Sequence, residues 1–227
     1  MTPIVSQPIE NYCEQHSSPA SPIGNAIAAF TKQNVEMPQM LIGPLEGAFL
    51  GLLVTLTRAR RVLEIGCFTG YSALAMAERL PANGELITLD IDAQNLKLAE
   101  SFWQQSPHAS KIKPILGPAL SSLRTLKGPF DLVFIDADKT NYQNYFDATW
   151  PLLSETGVIA VDNCLWNGEV LQPGGDADTQ AIKSFNTDIA KRTDLEKTIG
   201  LKRCCARLNF VVSPRKSLYS HLDFARK

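Results

Sequence analysis

The sequence has no surplus of charge of either sign: 22 lysines and arginines stand against 23 aspartates and glutamates. Without a basic excess there is no electrostatic footprint for gripping a nucleic-acid backbone, so small molecules are the expected partners and nucleic acid is not. Cysteine is scarce. Cys13, Cys67, Cys164, Cys204 and Cys205 form no C-x-x-C pair and no metal-finger spacing, and their odd number argues against a disulfide framework. A reducing, cytoplasmic setting is therefore expected. Long apolar runs are also missing. The greasiest stretch, 40–56, is interrupted by Pro44 and Glu46, and no basic segment precedes an apolar one near Met1. Neither a membrane span nor a signal peptide is expected. His16, His108 and His221 are scattered without ligand spacing, which removes an imidazole metal site from consideration.

What is present is an ordinary globular composition, 44% hydrophobic and 20% charged over 227 residues, enough for one large α/β domain with a buried core. Residues 1–22 are rich in Ser, Pro, Gln and Asn and lack periodicity, so a mobile arm or irregular lid is expected there, followed by a single domain over 23–227. After Pro44, the spacing of Leu45, Phe49, Leu52, Leu53 and Leu56 predicts a helix with that stripe facing the core. The period then changes. Short apolar strands are predicted at 61–65, 85–89, 112–116, 130–135 and 157–161, with helices at 71–80, 93–105, 119–126 and 142–153 between them. Strands alternating with helices imply a parallel sheet covered on both faces. The segment 166–178 reads as a loop, 179–191 as a helix, and 195–201 with 208–212 as a closing hairpin.

Every polar feature of interest falls at the carboxyl end of a predicted strand, where open parallel sheets bind ligands. Asp136-Ala137-Asp138-Lys139 follows one strand and Asp162-Asn163 the next. Two carboxylates and an amide from neighbouring strand ends suit a hard cation, and Lys139 adds a candidate proton acceptor. Glu64-Ile65-Gly66-Cys67-Phe68-Thr69-Gly70 forms a glycine turn before a helix. Asp90, twenty residues beyond Gly70, stands where a carboxylate takes ribose hydroxyls, although it could instead cap the next helix, as could Asp92. A dinucleotide requires G-x-G-x-x-G, whereas Cys67 and Phe68 fill this turn. Glu64 would repel a pyrophosphate but can accept hydrogen bonds from a cationic cofactor. S-adenosylmethionine suits the turn better than a nicotinamide dinucleotide does.

Three segments together, 62–74, 134–142 and 161–168, resemble the motifs of the cation-dependent O-methyltransferases of the caffeoyl-CoA and catechol type. The resemblance runs over about 40–186. It implies the class I methyltransferase fold, a doubly wound, mostly parallel seven-stranded Rossmann-like sheet, and a homodimer. It implies that Met40, Glu64, Gly66, Ser72, Asp90, Ala119 and Asp138 contact S-adenosylmethionine, that Asp136, Asp162 and Asn163 hold the metal, and that Lys139 is the general base. Two departures stand out: Cys204-Cys205-Ala206 occupies the place of a usual Gly-Asp-Gly turn, and Ile42-Gly43 is less polar than the residues often found near the cofactor's carboxylate.

The donor chemistry agrees with that implication. Three oxygen donors and no imidazole or thiolate favour Mg²⁺, with Ca²⁺ or Mn²⁺ as alternatives, and three protein ligands leave positions for an aromatic vicinal diol. The expected function is methyl transfer from S-adenosylmethionine to such a diol. A catalytically impaired S-adenosylmethionine or metal binder is the alternative, followed by a nicotinamide-dependent oxidoreductase. The bland readings are a solvated Asp-x-Asp-Lys turn, a Lys139 salt bridge to Asp136 or Asp138, Trp166, Tyr142 and Tyr145 serving only the core, and Cys164 as a packed thiol.

Overall fold

The computed structural model describes residues 6–199 and the backbone of 208–214. Five parallel strands form its centre: β1 (Arg61–Ile65), β2 (Glu85–Asp90), β3 (Ile112–Leu116), β4 (Phe130–Ile135) and β5 (Leu153–Asp162). Two more, β6 (Leu195–Ile199) and β7 (Leu208–Pro214), pair antiparallel, and β7 runs antiparallel to β5. The result is one seven-stranded sheet in the order β3-β2-β1-β4-β5-β7-β6, the expected doubly wound class. Strand order reverses between β1 and β4, so the crevice rule places a ligand above those two strand ends.

The strands form where apolar, β-branched and aromatic residues run together, because a sheet covered on both faces buries every side chain. Alternate residues of one strand then enter different cores. Val62, Leu132, Phe134 and Ala160 pack with α2 (Pro22–Asn34), α3 (Pro44–Leu56), α4 (Tyr71–Ala77) and α5 (Ala93–Trp103). Leu63, Ile65, Val133, Ile135 and Val161 pack with α6 (Ala119–Leu123), α7 (Tyr142–Thr149) and α8 (Ala177–Lys191). Phe130 and Phe134 are fully buried, and burial of each contributes roughly 1.5–3 kcal/mol.

Several expectations need correction. Residues 1–22 are not irregular throughout: Gln7–Gln15 forms a helix, here α1, with a proline in its first turn and Glu10 there to complement the helix dipole. It buries no residue, which is why no apolar period announced it. The face of α3 is turned only in part from the expected one: Leu45 and Leu53 are buried and Phe49 packs against the core. Leu52 and Leu56 are 50% and 68% exposed, while Gly47 and Gly51 point inward. A Cβ at Gly47 would lie 2.8 Å from the Tyr71 ring, and one at Gly51 3.1 Å from the Arg79 side chain. The two glycines therefore let α3 and α4 approach closely, and the leucines are displaced outward.

Pro38–Leu56 is apolar and long enough in residues to cross a membrane, with mean hydropathy 1.5. Its α-helical part, α3, has 13 residues and is about 20 Å long, short of the roughly 30 Å hydrocarbon core. Strand β5 starts at Leu153, earlier than expected, after a 3-10 turn at Trp150–Leu152 that shortens the preceding helix. Cys67 and Cys164 are free and buried, whereas Cys13 is disulfide-bonded, against the expectation of a reducing setting. The departure at Cys204-Cys205-Ala206 lies outside the described residues.

Candidate active site

Most of the residues singled out in the sequence lie along one edge of the sheet, in strand order. The turn after β3 leads to Ala119, β2 ends at Asp90, β1 ends at Glu64-Ile65 before Gly66, β4 leads into Asp136, and β5 ends at Asp162. With strands about 4.8 Å apart, Asp90 and Asp162 are separated by three strand intervals, roughly 14 Å. That row has room for an extended nucleoside with a second small molecule beside it.

At the head of β1, Glu64 is fully buried and pairs in register with Thr88, whose Oγ1 donates to Glu64 Oε2 at 2.5 Å. Among the described residues, Oε1 has no partner of normal hydrogen-bond geometry. Burial pushes the Glu64 pKa up to about 8; the Ser72 and Thr88 hydroxyls offset part of this, and the Asp90 and Asp136 charges add to it. A buried carboxyl with a spare acceptor fits a cationic ligand, which would relieve its desolvation. Ser72 is buried in the first turn of α4.

The glycines of the turn answer mainly to packing. Gly66 has φ +95°, and a Cβ there would lie 2.0 Å from the Asp136 carbonyl oxygen. Gly70 has φ +86°, with Ala99 and the Trp103 ring both 2.6 Å from where a Cβ would be. Trp103 Nε1 donates to Gly70 O at 2.9 Å and holds the turn against α5. On the other side, Thr31 of α2 donates to Thr69 at 2.9 Å, with both residues 0% exposed.

Asp90 proves to be a brace for this turn. Its Oδ2 accepts from the backbone N–H of Cys67 and of Phe68, each at 2.8 Å, and its Oδ1 from Asp92 N–H at 2.8 Å. Asp92, not Asp90, caps α5 by accepting from Gln94 and Asn95 N–H. The Cys67 and Phe68 amides are thereby satisfied by a carboxylate, so a pyrophosphate would meet negative charge there instead of free donors. One acceptor position on Oδ1 is left for a hydroxyl.

At the other end of the row, the register Ile135↔Val161 makes Asp136 and Asp162 the next residues on adjacent parallel strands. Asp162 is 2% exposed and Lys139 is 9% exposed. Lys139 Nζ donates to Asp136 Oδ1 at 2.9 Å and to the Tyr142 hydroxyl at 2.6 Å, and lies 4.8 Å from the Tyr142 ring centroid and 5.9 Å from that of Trp166. The salt bridge expected as the bland alternative therefore exists. Asn163 (φ 60°), Trp166 (φ 43°) and Asn167 (φ 53°) all adopt left-handed backbone just after β5. Such conformations cost on the order of 1–3 kcal/mol each and concentrate at functional sites. Asn186 of α8 fastens this segment by donating to Cys164 O at 2.7 Å, and Cys164 is the packed thiol expected. Among the described residues, no three His, Cys, Asp or Glu side chains cluster as a metal site; the set at this end is two carboxylates and the Asn163 amide.

Asp138 stands at the start of the 3-10 turn Lys139–Asn141, and its side chain makes no capping bond to that turn's backbone. Its Oδ1 accepts from the Tyr145 hydroxyl at 2.5 Å, and its Oδ2 accepts from Asn141 Nδ2 at 2.5 Å and more weakly from Thr140 at 3.4 Å. Ala119 opens α6 just beyond Gly117, whose N–H bonds to Asp90 O at 2.8 Å. Met40 ends a 3-10 turn before α3 and is 55% exposed. Tyr142 and Tyr145 do finish the core, as the bland reading holds, yet their hydroxyls serve Lys139 and Asp138. Spacings of three and seven residues from those two side chains were the only sequence signal for this.

A family model for O-methyltransferases matches residues 14–201. A Dictyostelium discoideum protein named probable caffeoyl-CoA O-methyltransferase 1 is 32% identical over 198 residues, 84% of this chain and 86% of that protein. Caffeoyl-CoA O-methyltransferase 1 of Eucalyptus globulus is 44% identical over 133 residues, which cover 56% of this chain and 54% of the plant enzyme. Among solved structures, the O-methyltransferase from Bacillus cereus in complex with S-adenosylhomocysteine superimposes with a TM-score of 0.80 at 28% identity, over 92% of this chain and 97% of that one.

Proposed function

Because the chain belongs to the cation-dependent O-methyltransferase family, we propose that it methylates one hydroxyl of a catechol-like or caffeoyl-type vicinal diol with the aid of a divalent cation, Mg²⁺ first. Its methyl donor is S-adenosylmethionine, which when bound supplies an activated methyl group on a sulfonium. The observation that carries the finer reading is the register of β4 on β5, which sets Asp136 beside Asp162 and Asn163 within reach of the buried Lys139.

On this reading the chain's own residues divide the work along the sheet edge. Asp90 accepts from the ribose, while Glu64, Ser72 and Asp138 face the cationic amino-acid end; Gly66, Met40 and Ala119 line the same cleft. Asp136, Asp162 and Asn163 would hold the ion, and a dication there would lower the pKa of a phenol, each unit being worth about 1.4 kcal/mol in favour of the oxyanion. Lys139 accepts the proton that the acceptor hydroxyl loses, and Tyr142 fixes the position of its nitrogen. Little covalent chemistry falls to the protein, so positioning and charge organisation supply most of the rate. The same reading carries a homodimer, implied by the family resemblance, and a cytoplasmic setting, read from the cysteine spacing of the sequence.

The test is a methyl-transfer assay against catechols and caffeoyl esters, with Mg²⁺ and with excess chelator. Transfer to diols that stops in chelator supports the proposal. Transfer that ignores chelator, or that takes monohydroxylated analogues equally well, overturns it.

A further inference from the structure

We propose that Tyr145 is a positioning residue for cofactor binding, acting through Asp138: its hydroxyl holds the carboxylate so that the one acceptor position left on Oδ1 meets the ammonium of the cofactor's amino-acid end. The inference rests on the reading above that Asp138 faces S-adenosylmethionine, and it assigns a function to a side chain outside that set.

The carboxylate of Asp138 has about four acceptor positions. Asn141 and Thr140 take the two on Oδ2, and Tyr145 takes one of the two on Oδ1. The contacts from Thr140 and Asn141 come from side chains two and three residues further along the same turn. Tyr145 differs from them. It reaches back from the end of the first turn of α7, it is only 6% exposed, and among the described residues its short 2.5 Å bond is the only one to Oδ1, the oxygen that keeps a vacant lone pair. Burial, and after it the Asp138 bond, raises the phenol pKa far above its ordinary value, so the hydroxyl donates at every working pH. Asp138 follows β4, on the opposite side of the switch point from Asp90 on β2. A cofactor with its ribose at Asp90 therefore extends its cationic end toward β4, where a carboxylate free to swing about its last torsion would meet it with poor aim.

The experiment is calorimetric titration of the full-length protein with S-adenosylhomocysteine and with 5′-methylthioadenosine, which lacks the amino-acid ammonium, in wild type, Tyr145→Phe, Asp138→Ala and the double variant. Tyr145→Phe should weaken S-adenosylhomocysteine roughly tenfold, the scale of one charge-assisted hydrogen bond. Affinity for 5′-methylthioadenosine should not move, KM for S-adenosylmethionine should rise with kcat at saturation kept, and in the Asp138→Ala background the same substitution should add nothing. Equal loss for both nucleosides, or a loss that persists without Asp138, overturns the inference in favour of a merely structural tyrosine. Wild type that binds S-adenosylhomocysteine while Tyr145→Phe binds it equally well overturns this inference alone. Wild type that binds neither nucleoside overturns the reading beneath it as well.

Discussion

Lys139 Nζ lies between two oxygens, 2.9 Å from Asp136 Oδ1 and 2.6 Å from the Tyr142 hydroxyl, in a position only 9% exposed. A flexible lysine stem buried in this way loses rotamer entropy, and the two hydrogen bonds fix where the one remaining position on its nitrogen points, an N–H in the ammonium or the lone pair in the free amine. Lys139→Ala is expected to lower kcat by about 10²-fold or more, the range of a positioned acid or base, while KM for the acceptor changes little. Steady-state kinetics over a range of pH is the check; a normal kcat throughout would remove Lys139 from the chemistry.

Removing Asp162 tests a different function of the same cluster. Asp162→Ala should abolish metal-stimulated transfer, yet S-adenosylhomocysteine binding, which the proposal assigns to Glu64, Asp90 and Asp138, should stay within roughly threefold of wild type because the sites are separate contacts. Parallel calorimetry and activity assays decide it. Loss of both would mean that the variant has lost its fold at the end of β5.

Glu64 gives the protein a pH dependence of predictable sign. Its pKa in the folded chain is about 8 against an ordinary 4.5, so between these values the folded state keeps a proton that the unfolded chain releases. The stability it contributes is complete below the ordinary value and is lost as pH rises through about 8. Unfolding midpoints of the cofactor-free protein should therefore fall across this window, and Glu64→Gln should flatten the trend. An unchanged slope in the variant would contradict the assignment.

The outline of the fold was open to reading because buried parallel strands are apolar without alternation. The bounds of β1, β3 and β4 coincide with the runs 61–65, 112–116 and 130–135. What failed did so for identifiable reasons. Helix α1 buries nothing, so no periodicity marks it. The inward face of α3 includes Gly47 and Gly51, which a count of leucines cannot register. In the site, residues adjacent in sequence to strand ends could be named. Partners that only tertiary packing brings in, such as Thr31 on Thr69 and Tyr145 on Asp138, could not. The sequence also left open whether Asp90 or Asp92 capped α5; the geometry gives that function to Asp92 and frees Asp90 to brace the glycine turn.

Packing at that turn sets a further expectation. In Gly70→Ala the new methyl would sit 2.6 Å from Ala99 and the Trp103 ring at a φ of +86°. Strain and overpacking together should cost on the order of 2–4 kcal/mol of stability. Urea unfolding measures it; a loss under about 0.5 kcal/mol, the scale of an ordinary surface change, would show that α4 and α5 can separate freely.

The central claim is that Asp136, Asp162 and Asn163 together hold one divalent cation. Mn²⁺ titration followed by electron paramagnetic resonance, with S-adenosylhomocysteine present, counts bound ions directly. The account predicts one ion per chain in wild type, displaced by Mg²⁺, and none in Asp162→Ala. Equal Mn²⁺ binding in wild type and variant, or none in either, would contradict it.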